Sequence, residues 1–442
     1  MNELKHIVKE KNNQGKAKTI ASKITARILK KLPHDIEETV VTYGAILRRR
    51  IVKTASDLIL ALFIYATPGM SLRMLAASAS LINLANMCDQ AWQKKVIQCE
   101  PWLSNVLKQT MPKMTEKSRS VYTGKSVKLL DGTTIRQAGK LGNRGGESLR
   151  IHMCYNLTDG CMENICVTDK HTAEGVTVFA PEPGAIYIAD AGYGKGKALE
   201  HITSCKADAL FRATPNHLCL AADERGKIKI DMAAKLLTSK ADIVDFSCFV
   251  HTEKRKYVPV RIVASRLPED KALLAIERKI HNARKHQTKN IRQKTFIYAQ
   301  WVVLITSLGN EYSAEALLQM YRSRWQIELL FKRIKQSFNL SVLPAASIVH
   351  SKVMVTLWLM LWSYAEQESL GVEIYLLSND TNMALYSPWS MQRFLFIQLM
   401  TCINCLWALE FNTETHSLEV FRRLKNHASA RQNLYACSRG LA

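Results

Sequence analysis

Tyr321-Arg322-Ser323-Arg324-Trp325-Gln326-Ile327-Glu328-Leu329-Leu330-Phe331-Lys332-Arg333-Ile334-Lys335 is the most informative stretch of the 442-residue chain. Its periodicity predicts one long helix from about Ala314 to Gln336. At about 100° per residue, Tyr321, Arg324, Glu328 and Lys335 fall within an arc of roughly 60°. Ile327, Leu330, Phe331 and Ile334 occupy the neighbouring arc. A helix that buries its apolar arc therefore holds one carboxylate, two cations and a phenol at the edge of its core. The plainer reading of the same spacing is a helix face laced by ion pairs four residues apart, such as Arg324 with Glu328.

Two carboxylates far upstream tip the balance. Val127 to Leu130, Leu149 to Tyr155, Glu163 to Val167 and Ala185 to Ala189 are short apolar or alternating runs bounded by Gly, Asp and Asn, and read as strands. The first runs into Asp131-Gly132-Thr133 and the fourth into Asp190-Ala191-Gly192-Tyr193-Gly194. A helix is expected from near Lys195 and a fifth strand over Ala209 to Ala213. An Asp before Gly or Ala-Gly is also an ordinary turn residue. Together with Glu328, however, Asp131 and Asp190 supply hard oxygen donors from three separated elements, the donor set Mg²⁺ or Mn²⁺ takes when water and phosphate fill its other positions. Antiparallel strands followed by alternating strand and helix predict an α/β core.

Tyr321-x2-Arg324-x3-Glu328-x6-Lys335 resembles the Y-R-E-K signature of DDE transposases of the insertion-sequence-four type. The resemblance extends to Asp131-Gly132-Thr133 and to Ile188-Ala189-Asp190-Ala191-Gly192-Tyr193-Gly194, and covers about 125 to 340. It implies a ribonuclease-H-like mixed sheet core with a mostly β insertion between the second Asp and the Glu, flanked by helical N-terminal and C-terminal regions. Asp131, Asp190 and Glu328 are then the catalytic and metal-holding carboxylates, with Asp131 shared by two ions. The ion is Mg²⁺, with Mn²⁺ as a substitute. Arg324, Lys335 and Tyr321 are implied to hold DNA, and Trp301 to accommodate a flipped base; core packing is the rival reading for Trp301. The position after the second Asp, often Arg in the family, is Ala191 here. The implied activity is cleavage of insertion-sequence ends and transfer of their 3′ ends to target DNA, by a homodimer in the DNA complex. The alternatives are a structure-specific nuclease of the same fold and a non-catalytic DNA-binding regulator.

Composition agrees with a polyanionic partner. The chain carries 61 Lys and Arg against 38 Asp and Glu, a formal net charge of +23, and such cations release counterions when they neutralise phosphates. With 47% hydrophobic and 22% charged residues it is globular. The 11 Cys follow no disulfide framework and the lysine-rich start has no signal-peptide pattern, so a cytoplasmic setting is expected, that of a bacterium as the resemblance implies. No membrane partner is expected. Val353 to Trp362 and Phe394 to Leu409 are too short or too interrupted to span a bilayer and read as buried helices. The lone pair Cys402 and Cys405 reads as core rather than a zinc site.

The remaining organisation follows from local signals. Residues 1–120 read as a helical DNA-binding domain: a basic arm (Lys16, Lys18, Lys23, Arg27, Lys30, Lys31), a second cluster (Arg48, Arg49, Arg50, Lys53), then helices over Ala55 to Tyr65, Leu72 to Ala79 capped by Ser71, and Gln90 to Gln98 capped by Asp89 or Asn86. A helix-turn-helix and an ordinary bundle fit this pattern equally. Residues 121–215 are the first part of the catalytic core. Residues 216–295 form a β-rich basic insertion, with strands over Asp242 to Val250 and Tyr257 to Ser265 and a run of Arg278, Lys279, Arg284, Lys285, Lys289, Arg292 and Lys294. Residues 296–375 complete the core, beginning with a strand over Phe296 to Thr306. Residues 376–442 are a helical C-terminal region, broken at Ser378 to Thr381 and Pro388.

Overall fold

Thr54 and Ser71 each stand just ahead of an apolar run, and each side chain accepts a backbone N–H three residues on, from Asp57 and Met74. In the computed structural model they open two of the N-terminal helices, which include α1 (Ile36–Thr42), α2 (Ala55–Tyr65), α3 (Leu72–Leu81), α4 (Asp89–Gln98) and α5 (Glu100–Thr110). The expected cap of α4 is corrected. Cys88 is its N-cap, without a side-chain bond, and Asp89 is the first helical residue, its carboxylate turned to Arg73. The structure describes residues 23, 25–111, 124–138, 146–172, 175–252, 256–287, 290–345, 347–378 and 388–408. Lys16 and Lys18 of the basic arm, Lys289, residues 379–381 of the expected loop and everything from Leu409 onward lie outside them.

Contacts group the chain into two units, Met1–Thr110 with Leu343–Ala442, and Met111–Val342. The second is built on one nine-stranded sheet in the order β3-β2-β1-β4-β5-β9-β8-β7-β6. Its first half is β1 (Val127–Arg136), β2 (Ser148–Asn156), β3 (Cys161–Asp169), β4 (Ile186–Ala189) and, after α6 (Gly196–Ser204), β5 (Asp208–Arg212). β1, β2 and β3 are antiparallel, whereas β4 runs parallel to β1 and β5 parallel to β4. This mixed core, with helices at both ends of the chain, is a ribonuclease-H-like arrangement.

The following segment extends the same sheet. β6 (Leu220–Ala221), α7 (Met232–Thr238), β7 (Ile243–His251), β8 (Tyr257–Arg266), α8 (Glu269–Lys285) and α9 (Gln293–Ala299) precede β9 (Trp301–Thr306). β9 then pairs antiparallel with both β5 and β8, which joins the segment to the core edge on. Two expectations change here. The basic run beyond Arg278 is helical as far as Lys285, and the strand read over Phe296 to Thr306 begins only at Trp301 because α9 takes its first residues. Aromatic and β-branched residues favour strands locally, but Phe296, Ile297 and Tyr298 lie on a short helix packed on the sheet.

α10 (Ala314–Arg322) and α11 (Trp325–Phe338) replace the single long helix. The chain tightens between them: Ser323 and Arg324 donate their amides three residues back, to Met320 and Tyr321, and the Ser323 hydroxyl donates to the Met320 carbonyl at 2.7 Å. α11 buries Ile327, Leu330, Phe331 and Ile334, each worth about 1.5–3 kcal/mol when removed from water. It ends at Asn339, whose φ of +52 closes the helix in the left-handed conformation.

The helical unit is completed by α12 (Ile348–Ser378) and α13 (Pro388–Ala408). Pro388 thus opens a helix, where its missing N–H costs nothing, rather than breaking one. α12 packs on α2, α4 and α5, so these helices form a bundle. Trp358 donates its indole N–H to the Ala66 carbonyl at 2.6 Å, and Trp362 lies 5.5 Å from Trp389 and 5.8 Å from Phe396 on α13. Ile348–Ser369 is long and apolar enough to cross a bilayer, but 78% of its most apolar window is buried inside the protein.

Candidate active site

β1 and β4 decide where two of the carboxylates stand. The parallel register ends at Leu130 opposite Ala189, so Asp131 and Asp190 are the next residues of two neighbouring strands, which run about 4.8 Å apart. Asp131 does not end its strand as the sequence suggested: β1 continues to Arg136 because β2 pairs with it through Ser148. Only the β4 side of β1 is left open. Alternation completes the placement. Leu130 and Ala189 point into the core cluster on one face, so Asp131 and Asp190 face the other side. On that side Asp131 meets the start of α11, where Arg324 reaches it.

The backbone holds each carboxylate from behind. Gly132 N–H donates to Asp131 Oδ1 at 2.8 Å, and Gly192 N–H donates to Asp190 Oδ1 at 2.8 Å. Tyr193 is buried and anchors the loop after Asp190. Gly194 lets that loop lie against β5: a Cβ there would sit 2.1 Å from the Arg212 carbonyl oxygen.

Arg324 connects the helix to the strand. Its Nη1 lies 3.7 Å from Asp131 Oδ2, and its Nη2 donates to Glu328 Oε1. The i,i+4 pair of the plainer reading therefore forms, but the same guanidinium also reaches a carboxylate on β1, which a surface ion pair does not do. Arg324 is 16% exposed and Glu328 is 54% exposed. Burial draws the Arg324 pKa down, while the bond to Glu328 and the nearby Tyr321, Glu328 and Asp131 outweigh it and raise it. A cleft of about 550 Å³ opens beside the pair, lined by Asp131, Thr133, Glu328, Lys332, Lys335 and Asn339 among others.

The other expected residues divide between this cleft and its surroundings. Lys335 lines it and donates to the Thr134 carbonyl at 3.3 Å; burial alone pushes its pKa down. The Tyr321 ring lies 5.9 Å from the Arg324 guanidinium. Burial pushes the phenol pKa up, opposed by the charges of Arg324 and Arg212 and reinforced by Asp190. Asp190 does not line the cleft itself, and among the described residues no three His, Cys, Asp or Glu side chains lie close enough to hold one ion together.

Trp301 is not brought to the cleft. It is 5% exposed, belongs to the core cluster of the opposite face, and lies under Arg266 at 4.6 Å. One edge of it lines a separate cavity of about 340 Å³ with Ala191, Arg212, Lys279 and Tyr298. Arg212 went unremarked in the sequence, although it follows an apolar strand as the two Asp residues do and stands on the next strand in the sheet. Arg261 was missed as well. Its guanidinium holds both oxygens of Asp245 and donates to the carbonyls of Gly309 (2.5 Å) and Tyr312 (2.7 Å), which pins the loop leading into α10.

The chemistry of the site fits a divalent cation. Asp131 and Glu328 present hard oxygens across a space bridged by a guanidinium, so a positive charge already occupies the gap. The buried Arg324 Nε carries an N–H with no acceptor among the described residues, a donor that a phosphate oxygen rather than the cation would complete.

Comparison with known proteins gives a consistent answer. The family described as Transposase DDE domain matches residues 122–364, more than half of the chain. The transposase of insertion sequence element IS421 from Escherichia coli is 30% identical over 321 residues, covering 71% of this chain and 84% of that protein. The InsL protein of insertion sequence element IS186A from Escherichia coli strain K12 is 30% identical over 320 residues, with the same coverage.

Proposed function

The chain belongs to the DDE transposases, and from that premise we propose that it cuts the ends of a bacterial insertion sequence and joins the freed 3′ ends to target DNA, using Asp131, Asp190 and Glu328. Membership makes it an enzyme of DNA cleavage and transfer that acts on DNA and uses divalent metal. The residue roles, the ion and the assembly are our reading. The observation that carries it is the parallel register of β1 and β4, which sets Asp131 and Asp190 side by side on the face where Glu328 meets Asp131 through Arg324.

Asp131, next to Asp190 by strand register and joined to Glu328 through Arg324, would be shared by two ions, with Asp190 and Glu328 each completing one. The ions would be Mg²⁺, with Mn²⁺ as a substitute. Divalent ions in such sites supply positive charge to the attacking and leaving oxygens of phosphoryl transfer. The protein's own part is to orient. Gly132 and Gly192 amides fix the two aspartates, and the Ile327, Leu330, Phe331 and Ile334 face of α11 fixes Glu328 against the sheet. Arg324 and Lys335, charged and partly buried beside the carboxylates, hold phosphate near the scissile bond, and Tyr321 packs against the strand being cut. Trp301 receives an unstacked base only at the edge of the cavity that it shares with Arg212 and Tyr298. Both ends are joined by a homodimer assembled on DNA, in the bacterial cytoplasm.

The test uses duplexes carrying the element ends, Mg²⁺ and a target plasmid. Asp131→Asn, Asp190→Asn and Glu328→Gln should each abolish nicking and joining while leaving end binding within about threefold of wild type. Wild-type cleavage by any one of the three removes that residue from the site. Cut ends without joined product would make the protein a nuclease instead.

A further inference from the structure

α8 is a 17-residue helix that buries only Ala272. A helix of that length is marginal when little of it packs, and Leu273 and Leu274 on it are 57% and 45% exposed. Several cations of the same unit close onto carboxylates, as Lys125 does on Asp208, Lys170 on Glu147, Lys256 on Glu200 and Lys294 on Asp231. Arg278, Lys279, Arg284 and Lys285 form no ion pair among the described residues, and no acid follows Glu277 before the helix ends.

Helical spacing sorts these cations. Lys271, Arg278 and Lys285 recur every seventh residue, so they fall within about 40° of arc and are spaced about 10.5 Å apart. All three are exposed. Lys271 is paired only with its neighbour Asp270, at 3.5 Å on the surface, where such pairs are worth little. The stripe is about 21 Å long, close to two-thirds of the 34 Å turn of a DNA duplex. Lys279 turns the other way and lines the cavity shared by Arg212 and Ala191, the residue after Asp190. A solvated basic face accounts for Arg284 and Lys285, which favour a helix C-terminus in any case. It does not account for a straight stripe that starts in the first turn.

We propose that α8 is a DNA-gripping arm: the stripe Lys271, Arg278 and Lys285 neutralises the phosphate backbone of a duplex, and Lys279 leads that backbone toward Asp190. The contact reads charge, not sequence. The proposal rests on DNA being cut beside Asp190, and the duplex is the target, whose sequence varies and so suits a grip that reads charge alone.

The experiment uses the full-length triple variant Lys271→Gln, Arg278→Gln, Lys285→Gln, chosen on exposed positions so that its unfolding midpoint matches wild type. The affinity for an end duplex and for a duplex of unrelated sequence is measured against KCl concentration. Each phosphate contact contributes about 0.9 to the slope of log K against log [salt], so the slope should fall by about 2 to 3. The variant Lys271→Arg, Arg278→Lys, Lys285→Arg should restore it. End complexes should form as in wild type while joining to a plasmid drops more than tenfold, and a slope that falls for the end duplex alone with wild-type joining overturns the target as the occupant. Unchanged slopes with unchanged joining overturn the proposal. Asp190→Asn run in parallel should keep the wild-type slope and lose nicking, so a mistaken catalytic site and a mistaken arm give different results.

Discussion

Arg324 is the residue on which the proposed chemistry turns. It stands between Asp131 and Glu328, where a divalent ion would compete with it. A pair of charges 4 Å apart is worth about 4 kcal/mol at an effective dielectric of 20, but Glu328 is half exposed and screening reduces that. Arg324→Gln should therefore tighten Mn²⁺ binding in the absence of DNA by about tenfold, or 1.4 kcal/mol, while weakening complexes with element ends. Mn²⁺ titration followed by electron paramagnetic resonance reads the first effect directly. An unchanged affinity would show that the guanidinium and the ion do not share a place. His152 supplies a test away from the cleft. It is fully buried between β1 and β3, its Nε2 2.9 Å from the Thr168 hydroxyl, and burial, aided by Arg150, lowers its pKa to about 4. The unfolded chain takes up that proton near 6.5. Between pH 6.5 and 4 the unfolded state thus binds more protons, and stability is lost as the pH is lowered, by roughly 3 kcal/mol in all. Urea unfolding of wild type and His152→Leu across that window should show the smaller acid loss in the variant. Parallel curves would mean that the imidazole is not held neutral.

At the level of elements, the loop after β4 shows what a close approach demands. Gly194 has Arg212 backbone on one side, and Gly196 has the His251 carbonyl 2.1 Å from where a Cβ would stand. Neither neighbour is a flexible side chain, so Gly194→Ala must shift the loop or β5. The expected cost is about 1–3 kcal/mol in thermal or urea unfolding, with nicking reduced more than tenfold because Asp190 begins that loop. Full stability and activity in the variant would mean that the loop tolerates displacement. Elements with strictly local causes were legible in the sequence: α2, the Ser71 cap of α3, and the strands β2, β3, β4, β7 and β8 all come from alternation or capping residues. Elements decided by distant partners were not. Helical periodicity runs unbroken through Ser323, so the tightening between α10 and α11 left no local mark. Phe296 to Tyr298 carry strand-forming side chains yet lie on a helix. The three carboxylates were legible as candidates, because an Asp after an apolar run and a Glu on a patterned helix are local signals. That Asp131 and Asp190 are neighbours depends on parallel pairing across nearly sixty residues, which no short window contains. Arg212 was overlooked because one cation after a strand resembles any surface Arg until the sheet order places it beside β4.

For the whole molecule, the grouping of Met1–Thr110 with Leu343–Ala442 came from contacts more than two hundred residues apart, such as Trp358 with Ala66, and so escaped boundaries drawn from composition at 120 and 375. The charge balance, by contrast, is a property of the sequence with a direct consequence for assembly. At +23, two copies repel one another, and net charge of this size keeps proteins apart in solution. DNA removes that barrier by neutralising the cations that face it, while transposition requires two ends to be held at once. The protein should therefore be a monomer of 50.0 kDa without DNA at 150 mM salt, and should carry two chains when end duplexes are added. Mass photometry of the free protein, of the protein with one end duplex per chain, and of Asp131→Asn with the same duplex separates assembly from cleavage. The catalytically silent variant should pair as well as wild type. A stable dimer without DNA would show that protein contacts alone overcome the repulsion, and single chains on saturating end duplex would remove the paired complex from the mechanism.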